Sequence, residues 1–322
     1  MAYTQLQEEL VDAVHECDEA RARELVAQLG KAPRKARALL EDMLADPDAI
    51  VRQAAAFGLG ALGGVASARV LEKQLAIEEA RKNHDGESVV EEITRALGHI
   101  EEAGARATLL RRLERLTTGK PELGDVNTVA RALWRRRHPD MLPVVRQSLE
   151  RLAPLKSRTL QGLELLLEKS PEAFHPWAVD PSVPVDHKTG VLLLLEEDMP
   201  EALVSTLPAF ISAAHTLATM AATNRKSAAA DYCDRLFSLL LLHGERLLLS
   251  FPQETRSQLH DLTRTLVAAP VPVCFLRAAA LLQFIGQPED AALLEAHRPA
   301  EPVLAKVFDD AAQALRSRPP PS

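Results

Sequence analysis

Two stretches of this chain, AIVRQAAAFGLGALGG and SVVEEITRALGHIEEAG, superimpose when Leu59-Gly60 is laid on Leu97-Gly98, an offset of 38 residues. Val51 then falls on Val89, Ala55 on Ile93 and Leu62 on Ile100. A third stretch, DVNTVARALWRRR, follows after a further 36 residues, with Val129 on Ile93 and Leu133 on Leu97. A repeat of this length with apolar residues at helical spacing cannot bury its apolar face alone. It needs a neighbour on each side, so the pattern predicts stacked helical hairpins.

The flanking sequence agrees. Leu6, Leu10, Val11 and Val14 mark a first helix, Asp18 a cap, and Leu25, Val26 and Leu29 a second helix ended by Gly30. Pro33 opens a third, with Leu39, Leu40, Met43 and Leu44 on one side, and Asp46-Pro47 separates it from the repeat. After Pro154 the repeat degrades. Helices are still expected near 156–169, 189–197, 200–222, 228–249, 253–268, 272–285, 290–297 and 302–316. No alternating apolar runs mark strands. Residues 1–153 are therefore read as regular repeats and 154–316 as degenerate ones. A possible boundary lies in His175–Gly190, where Pro176, Pro181 and Pro184 interrupt any helical period. Residues 317–322 read as a disordered tail.

FGLGALGG places Gly58, Gly60 and Gly63 in the spacing G-x-G-x-x-G. A dinucleotide-binding turn needs a buried strand before the first glycine, and here VRQAAAF is helical. Glu79 stands where a ribose-binding acid belongs, but in the charged helical run AIEEARKNHD. The glycines are read as helix packing and a C-terminal turn, with no cofactor.

DPDAIVRQAAAFGLGALG resembles a HEAT repeat of the short bacterial, phycobilisome-lyase-like kind. The family pattern is carried by Asp46, Pro47, Val51, Arg52, Ala54, Ala55, Leu59 and Gly60. The likeness is specific over about residues 33–75, fair to about 116 and loose beyond. LRAAALLQFIGQPEDAALL is a weaker second match, with Arg277 and Ala280 in the places of Arg52 and Ala55. The resemblance implies an all-α, right-handed helical-hairpin solenoid of HEAT-like, ARM-type superhelix, irregular in its C-terminal half. It implies bonding between stacked turns by Asp46 and Arg52 and a structural role for Gly60. Val90 takes the arginine position in the second repeat, so that ladder is interrupted there.

No catalytic or metal-binding residue is assigned. The chain has no H-E-x-x-H; metal-dependent hydroxylases on HEAT scaffolds use several His-Glu pairs, and here only His15-Glu16 occurs. Cys233, His243, Asp231 and Asp234 share a region, but the two acids read as a solvated helix face. Cys17, Cys233 and Cys274 suggest neither a disulfide framework nor zinc, and read as small buried side chains in a reducing compartment. The N-terminus has no signal-peptide pattern, and 266–286, the nearest case of a membrane span in this reading, is broken by Pro270, Pro272 and Arg277. A cytoplasmic protein without a membrane partner is the expectation.

The sharpest candidate surface is basic. Arg106 to Arg137 holds nine basic residues against Glu114, Glu122 and Asp125, in a chain of net charge -7. Arg111, Arg112, Arg115, Arg131 and Arg135 are the candidate binding residues, with Arg131 and Arg135 pointing away from the apolar face of Val126, Val129, Ala130, Leu133 and Trp134. Glu172 to Glu201 is the acidic counterpart. The leading reading is a non-enzymatic protein-protein interaction scaffold or adaptor. The alternative is a nucleic-acid-binding protein using the Arg106–Arg137 ridge on phosphates, which aromatic content of only 4% makes less favoured. Partner identity and oligomeric state are open.

Overall fold

The computed structural model describes residues 3–269 and 274–318. Among them every regular element is helical, and the chain divides into two units, Met1–Leu160 and Gln161–Ser322.

The first unit begins with α1 (Tyr3–His15), α2 (Glu19–Leu29) and α3 (Pro33–Met43). The Asp18 side chain accepts from the Arg21 amide at 3.0 Å and starts α2. Pro33 occupies the first turn of α3, where its missing N–H costs nothing. Then come α4 (Ala49–Leu62), α5 (Gly64–Arg81), α6 (His84–His99), α7 (Ala103–Thr118), α8 (Leu123–Arg135), a 3-10 turn at Pro139–Met141 and α9 (Leu142–Leu152). Helix α4 packs on α6 and α6 on α8, while α5 packs on α7 and α7 on α9. Each helix of one layer also packs on its hairpin neighbour in the other: α4 on α5, α6 on α7. Leu59, Leu71, Leu97, Leu109, Leu113 and Leu133, all fully buried, fill the space between layers.

The glycines explain how α4, α6 and α8 come so close. A Cβ on Gly60 would lie 2.8 Å from the Cα of Ala96, and one on Gly98 would lie 2.9 Å from the Cα of Ala132. Gly60 and Gly98 are equivalent in the repeat, and so are Ala96 and Ala132. One crossing is therefore made twice. Gly58 faces Leu40 inside α4, and Gly63, at φ +66°, makes the turn into α5. The three glycines of FGLGALGG thus belong to a helix and its terminal turn, with helix rather than strand before them.

The second unit contains most of α10 (Arg158–Glu168), then α11 (Pro171–Val179), α12 (Val185–Glu197), α13 (Glu201–Val204), α14 (Leu207–Thr223), α15 (Ala228–Ser250), α16 (Gln253–Val267), α17 (Phe275–Ile285), α18 (Asp290–Ala296) and α19 (Pro302–Arg316). Helix α15 is interrupted at Gly244 (φ 54°, ψ -145°). Here too two layers form: α11, α14, α16 and α18 pack in succession, and so do α12, α15, α17 and α19. The irregularity expected of this half lies in its sequence; its packing order is regular.

The segment His175–Gly190, read as a loop, is mostly helical. Phe174 and Trp177 of α11 pack on Phe210 of α14, with ring centroids 6.5 and 6.3 Å away. Lys188 of α12 donates to the carbonyl of Asp180 at 2.8 Å, tying down the end of α11. The buried contacts outweigh the proline signals, which fall at the helix start, inside α11 and in the short connection. The division between units instead falls within α10. Residues 319–322 of the expected tail, and Pro272, the expected start of α17, lie outside the described residues.

Glu201–Thr223 is, among the described residues, the one stretch long and apolar enough to cross a membrane. Half of it is buried, and Leu207, Phe210, Ile211 and Ala214 of α14 lie in the core of the unit.

The crossing gives a signed prediction. Gly60→Ala gains about 1 kcal/mol of helix propensity. It must also push the Ala96 backbone, an overpacking cost of about 1–3 kcal/mol. Gly60→Ala should therefore lower the urea midpoint followed by circular dichroism, and Gly60→Val should lower it further. Gly104→Ala in α7, where a Cβ meets nothing within 4 Å, should raise it. A higher midpoint for Gly60→Ala than for the parent, as for Gly104→Ala, would refute the close crossing.

Candidate interaction face on the α4, α6 and α8 layer

Arg52 is 1% exposed, and every one of its bonds is structural. Its Nε donates to Glu78 Oε1 at 2.9 Å, and its Nη1 donates to the carbonyls of Asp46 and Pro47 at 2.9 and 2.8 Å. The resemblance implied bonding between stacked turns by Asp46 and Arg52, each in a structural role. The Asp46 carboxylate accepts from the Asp48 amide at 2.8 Å, shaping the turn before α4. Asp48, not Asp46, caps α4, its side chain accepting from Ile50. The anion opposite Arg52 is Glu78, on the following helix, which also accepts from Gln74 at 2.7 Å and pairs with Arg81 at 2.8 Å. Nothing in the charged run around Glu78 separates it from its solvated neighbours. Its period relative to Leu71 and Leu75, which puts it on the buried face, was the available signal. Arg277, matched to Arg52 by the weaker likeness, is only part-buried and pairs with Asp234 of α15.

The basic ridge does not exist as one surface. Arg111, Arg112 and Arg115 stand on α7, in the layer of α5 and α9, while Arg131 and Arg135 stand on α8, in the layer of α4 and α6. Arg112 is 3% exposed and pairs with Glu79 and with Asp125, the latter at 3.2 Å. Arg111 pairs with Glu72, and Arg115 with Glu79 at 3.0 Å. Arg106 pairs with Asp140 at 3.2 Å and Arg136 with Glu101 at 3.7 Å. Arg137 lies over the ring of Trp134, 4.6 Å from its centroid. Sequence reasoning missed Glu72 and Glu79 because both sit outside the basic segment, one hairpin away. The expectation that Arg112 faces a ligand is thus corrected: its guanidinium is spent inside the fold.

What remains on the α4, α6 and α8 layer is a register of exposed and half-exposed positions. Gln53, Phe57 and Ala61 of α4 are equivalent to Glu91, Arg95 and His99 of α6 and to Asn127, Arg131 and Arg135 of α8. They recur every four residues, on the side of each helix turned away from the α5, α7 and α9 layer. Arg23 of α2 joins them, its guanidinium 6.0 Å from the centroid of the Phe57 ring. Glu19, Glu91 and Glu92 lie among these cations, and Glu19 and Glu91 each pair with an arginine one turn away. Burial pushes the Glu92 carboxyl above the usual range against the opposing pull of Arg95, while the hydrogen bond from Arg23 holds Glu19 below it. Arg131 is exposed and forms no ion pair among the described residues.

The second unit holds two polar clusters. Asp290, fully buried at the start of α18, accepts from the Gln287 amide at 2.7 Å, lies 2.7 Å from His260 Nε2 and pairs with Arg264. All of its partners belong to α16 and its own loop, so the cluster fastens α18 to α16. An open cleft of about 560 Å³ is lined by Arg225, Asp231, Asp234, Cys274 and Arg277 among others. Its thiol is a poor nucleophile: burial pushes Cys274 well up, and Cys233 behind it up to about 12. Cys17, read as buried, is exposed at the turn between α1 and α2, with φ 58°. Among the described residues no group of three His, Cys, Asp or Glu side chains is placed to hold a metal ion.

No family model matches the chain, and no curated protein matches it. Among solved structures it is similar to the crystal structure of an engineered protein from the Northeast Structural Genomics Consortium. That likeness has 13% identity over 97% of this chain and 99% of that one, with a TM-score of 0.31.

Two measurements check these assignments. Glu78→Ala leaves Arg52 buried with no counter-ion and should cost about 3–5 kcal/mol in urea denaturation. The pair Arg52→Met with Glu78→Leu should recover most of that loss; no recovery would mean that packing, not charge, sets the cost. For Asp290, burial alone would raise the carboxyl, but His260, the Gln287 amide and Arg264 together hold it below its usual value. A carboxyl depressed in the folded state stabilises above its unfolded pKa and loses that stabilisation as pH falls through the folded one. Asp290→Asn should therefore lower the melting temperature at neutral pH, with the difference shrinking below about pH 4. A deficit constant from neutral to acid pH would contradict this.

Proposed function

We propose that this chain is a non-enzymatic, HEAT-like interaction scaffold, and that the exposed face of α4, α6 and α8 is where it holds another protein. One observation carries the reading: equivalent positions on three successive helices face solvent and bear aromatic, cationic and polar side chains, while the opposite side of each helix is core. A surface made this way offers many separate contacts along the stacking direction, suited to a partner lying across the helices. The interleaved Glu19, Glu91 and Glu92 and the inward pairing of Arg106, Arg111, Arg112 and Arg115 favour a protein over a phosphate backbone, whose binding depends on uncompensated cations.

The test is affinity capture from native lysate, run with and without nuclease, comparing the parent chain, the face variant Phe57→Ala/Arg131→Glu and an α7 variant, Arg115→Glu. A protein retained by the parent and by Arg115→Glu, but reduced about fivefold or more by the face variant, is the expected result. Equal retention by all three would move the binding surface elsewhere. Material that disappears with nuclease would replace this reading with nucleic-acid binding.

A further inference from the structure

Phe57, Arg95 and Arg131 occupy the same repeat position on α4, α6 and α8, and Arg23 reaches that position by lying over Phe57. The contact of Gly60 with Ala96 is repeated by that of Gly98 with Ala132, so the step from α4 to α6 is the step from α6 to α8. Helices packed this way lie about 8–10 Å apart. The outcome is a row of guanidinium groups, one per helix step, supplied by Arg23, Arg95 and Arg131.

Two of the three are held by partners on their own helix. Arg23 pairs with Glu19, and Arg95 with Glu91 and, at 3.4 Å, with the part-buried Glu92, the arginine side chains being 47% and 57% exposed. Exposed pairs of this kind are weak, and an incoming carboxylate can replace the partner. Glu92 holds Arg95 only by the longer of that arginine's two pairs, and burial favours the neutral form of Glu92 against the pull of Arg95. Arg131 has nothing to give up.

A ligand matching the row must carry negative charge at the same interval. A polypeptide in the polyproline II conformation rises about 3.1 Å per residue with three residues per turn, so every third side chain lies on one side at about 9.3 Å spacing. Each strand of a DNA duplex carries a phosphate about every 3.4 Å of helix axis, a denser charge than the row presents. It would bring phosphates against Glu19, Glu91 and Glu92 between the arginines. The exposed part of Phe57 also suits a proline ring, as aromatic surfaces do in other polyproline II sites.

We infer that the row of Arg23, Arg95 and Arg131 binds an acidic, proline-containing segment of a partner protein in the polyproline II conformation, with a carboxylate at every third residue. This rests on the reading of the α4, α6 and α8 face as a protein-binding surface, and specifies what that surface recognises.

The probe is a fluorescein-labelled peptide of four Glu-Pro-Ala repeats, beside an isomer of the same composition with its four glutamates contiguous. Both are titrated with the full chain by fluorescence polarisation. The periodic peptide should bind at least about fivefold tighter than the isomer, with affinity falling as salt rises. Arg131→Glu and Arg95→Glu should each weaken it about fivefold or more, and Arg131→Lys should retain most of the binding. Circular dichroism identical to the parent's shows that the variants are folded. No measurable binding of the periodic peptide, equal binding of both isomers, indifference to Arg131→Glu, or displacement by poly-U RNA at lower concentration than by unlabelled peptide would each overturn the proposal. The lysate capture separates the two levels. A protein lost only from the Phe57→Ala/Arg131→Glu variant, together with failure of the periodic peptide, refutes the spacing and leaves the scaffold standing. No captured protein removes the scaffold itself.

Discussion

Helices of the first unit meet where a side chain is missing. Gly60 lets α4 reach the backbone of Ala96, and Gly98 lets α6 reach that of Ala132, each with no room for a further carbon. Close-packed interiors tolerate little overpacking. The two contacts therefore fix how each helix is shifted along its neighbour as well as how near it lies. The rows across α4, α6 and α8 exist because of that shift. At the third repeat the glycine position is taken by Trp134, which is 2% exposed and covered by Arg137, so the small-residue series ends there. The second unit uses the same device at another place: a Cβ on Gly162 of α10 would lie 2.3 Å from the carbonyl oxygen of Gly190 of α12.

Charge is organised around these contacts in two ways. Between α4 and α5 the Arg52–Glu78 pair is withdrawn from water altogether. Burying two charges costs several kcal/mol each unless the remaining donors and acceptors are met. Gln74, Arg81 and the carbonyls of Asp46 and Pro47 meet them, which makes the pair a specific fastener of one hairpin rather than a generic attraction. Between α5 and α7 the pairs of Arg111 and Arg115 are nearer the surface and individually weak. Their effect is on the molecule's exterior field: most of the arginines of the basic segment are matched by acids that the fold brings from elsewhere.

That matching decides which surface is free to bind. Counted along the chain, residues 106–137 look strongly positive. Counted in space, Arg111, Arg112 and Arg115 share Glu72, Glu79 and Asp125, and the cations left facing outward in equivalent positions belong to α6 and α8, with Arg23 beside Phe57. The functional reading moves accordingly, from a ridge within one sequence segment to a row assembled from four helices.

Local propensity and period determined much of this protein by themselves. The helices, the cap at Asp18, the opening Pro33 and the burial of Leu59, Leu97, Leu133 and Trp134 are legible because each follows from residues within a turn or two of one another, and the 38-residue repeat because the same local pattern recurs. So is the helical setting of Gly58 and Gly60, since the residues before them carry no strand pattern. Only the tertiary structure decided that Glu78 faces Arg52, that Arg112 is buried between Glu79 and Asp125, and that His175–Gly190 folds mostly into helices against Phe210 and Asp180. Those outcomes depend on groups 13 or more residues apart, or on buried contacts that override proline signals. Helical period places Glu78 on the buried face with Leu71 and Leu75, but leaves no trace of which cation it meets there. The sequence could state that Arg131 faces outward from its helix; that Arg95 and Arg23 stand in line with it required the close crossings of the glycines.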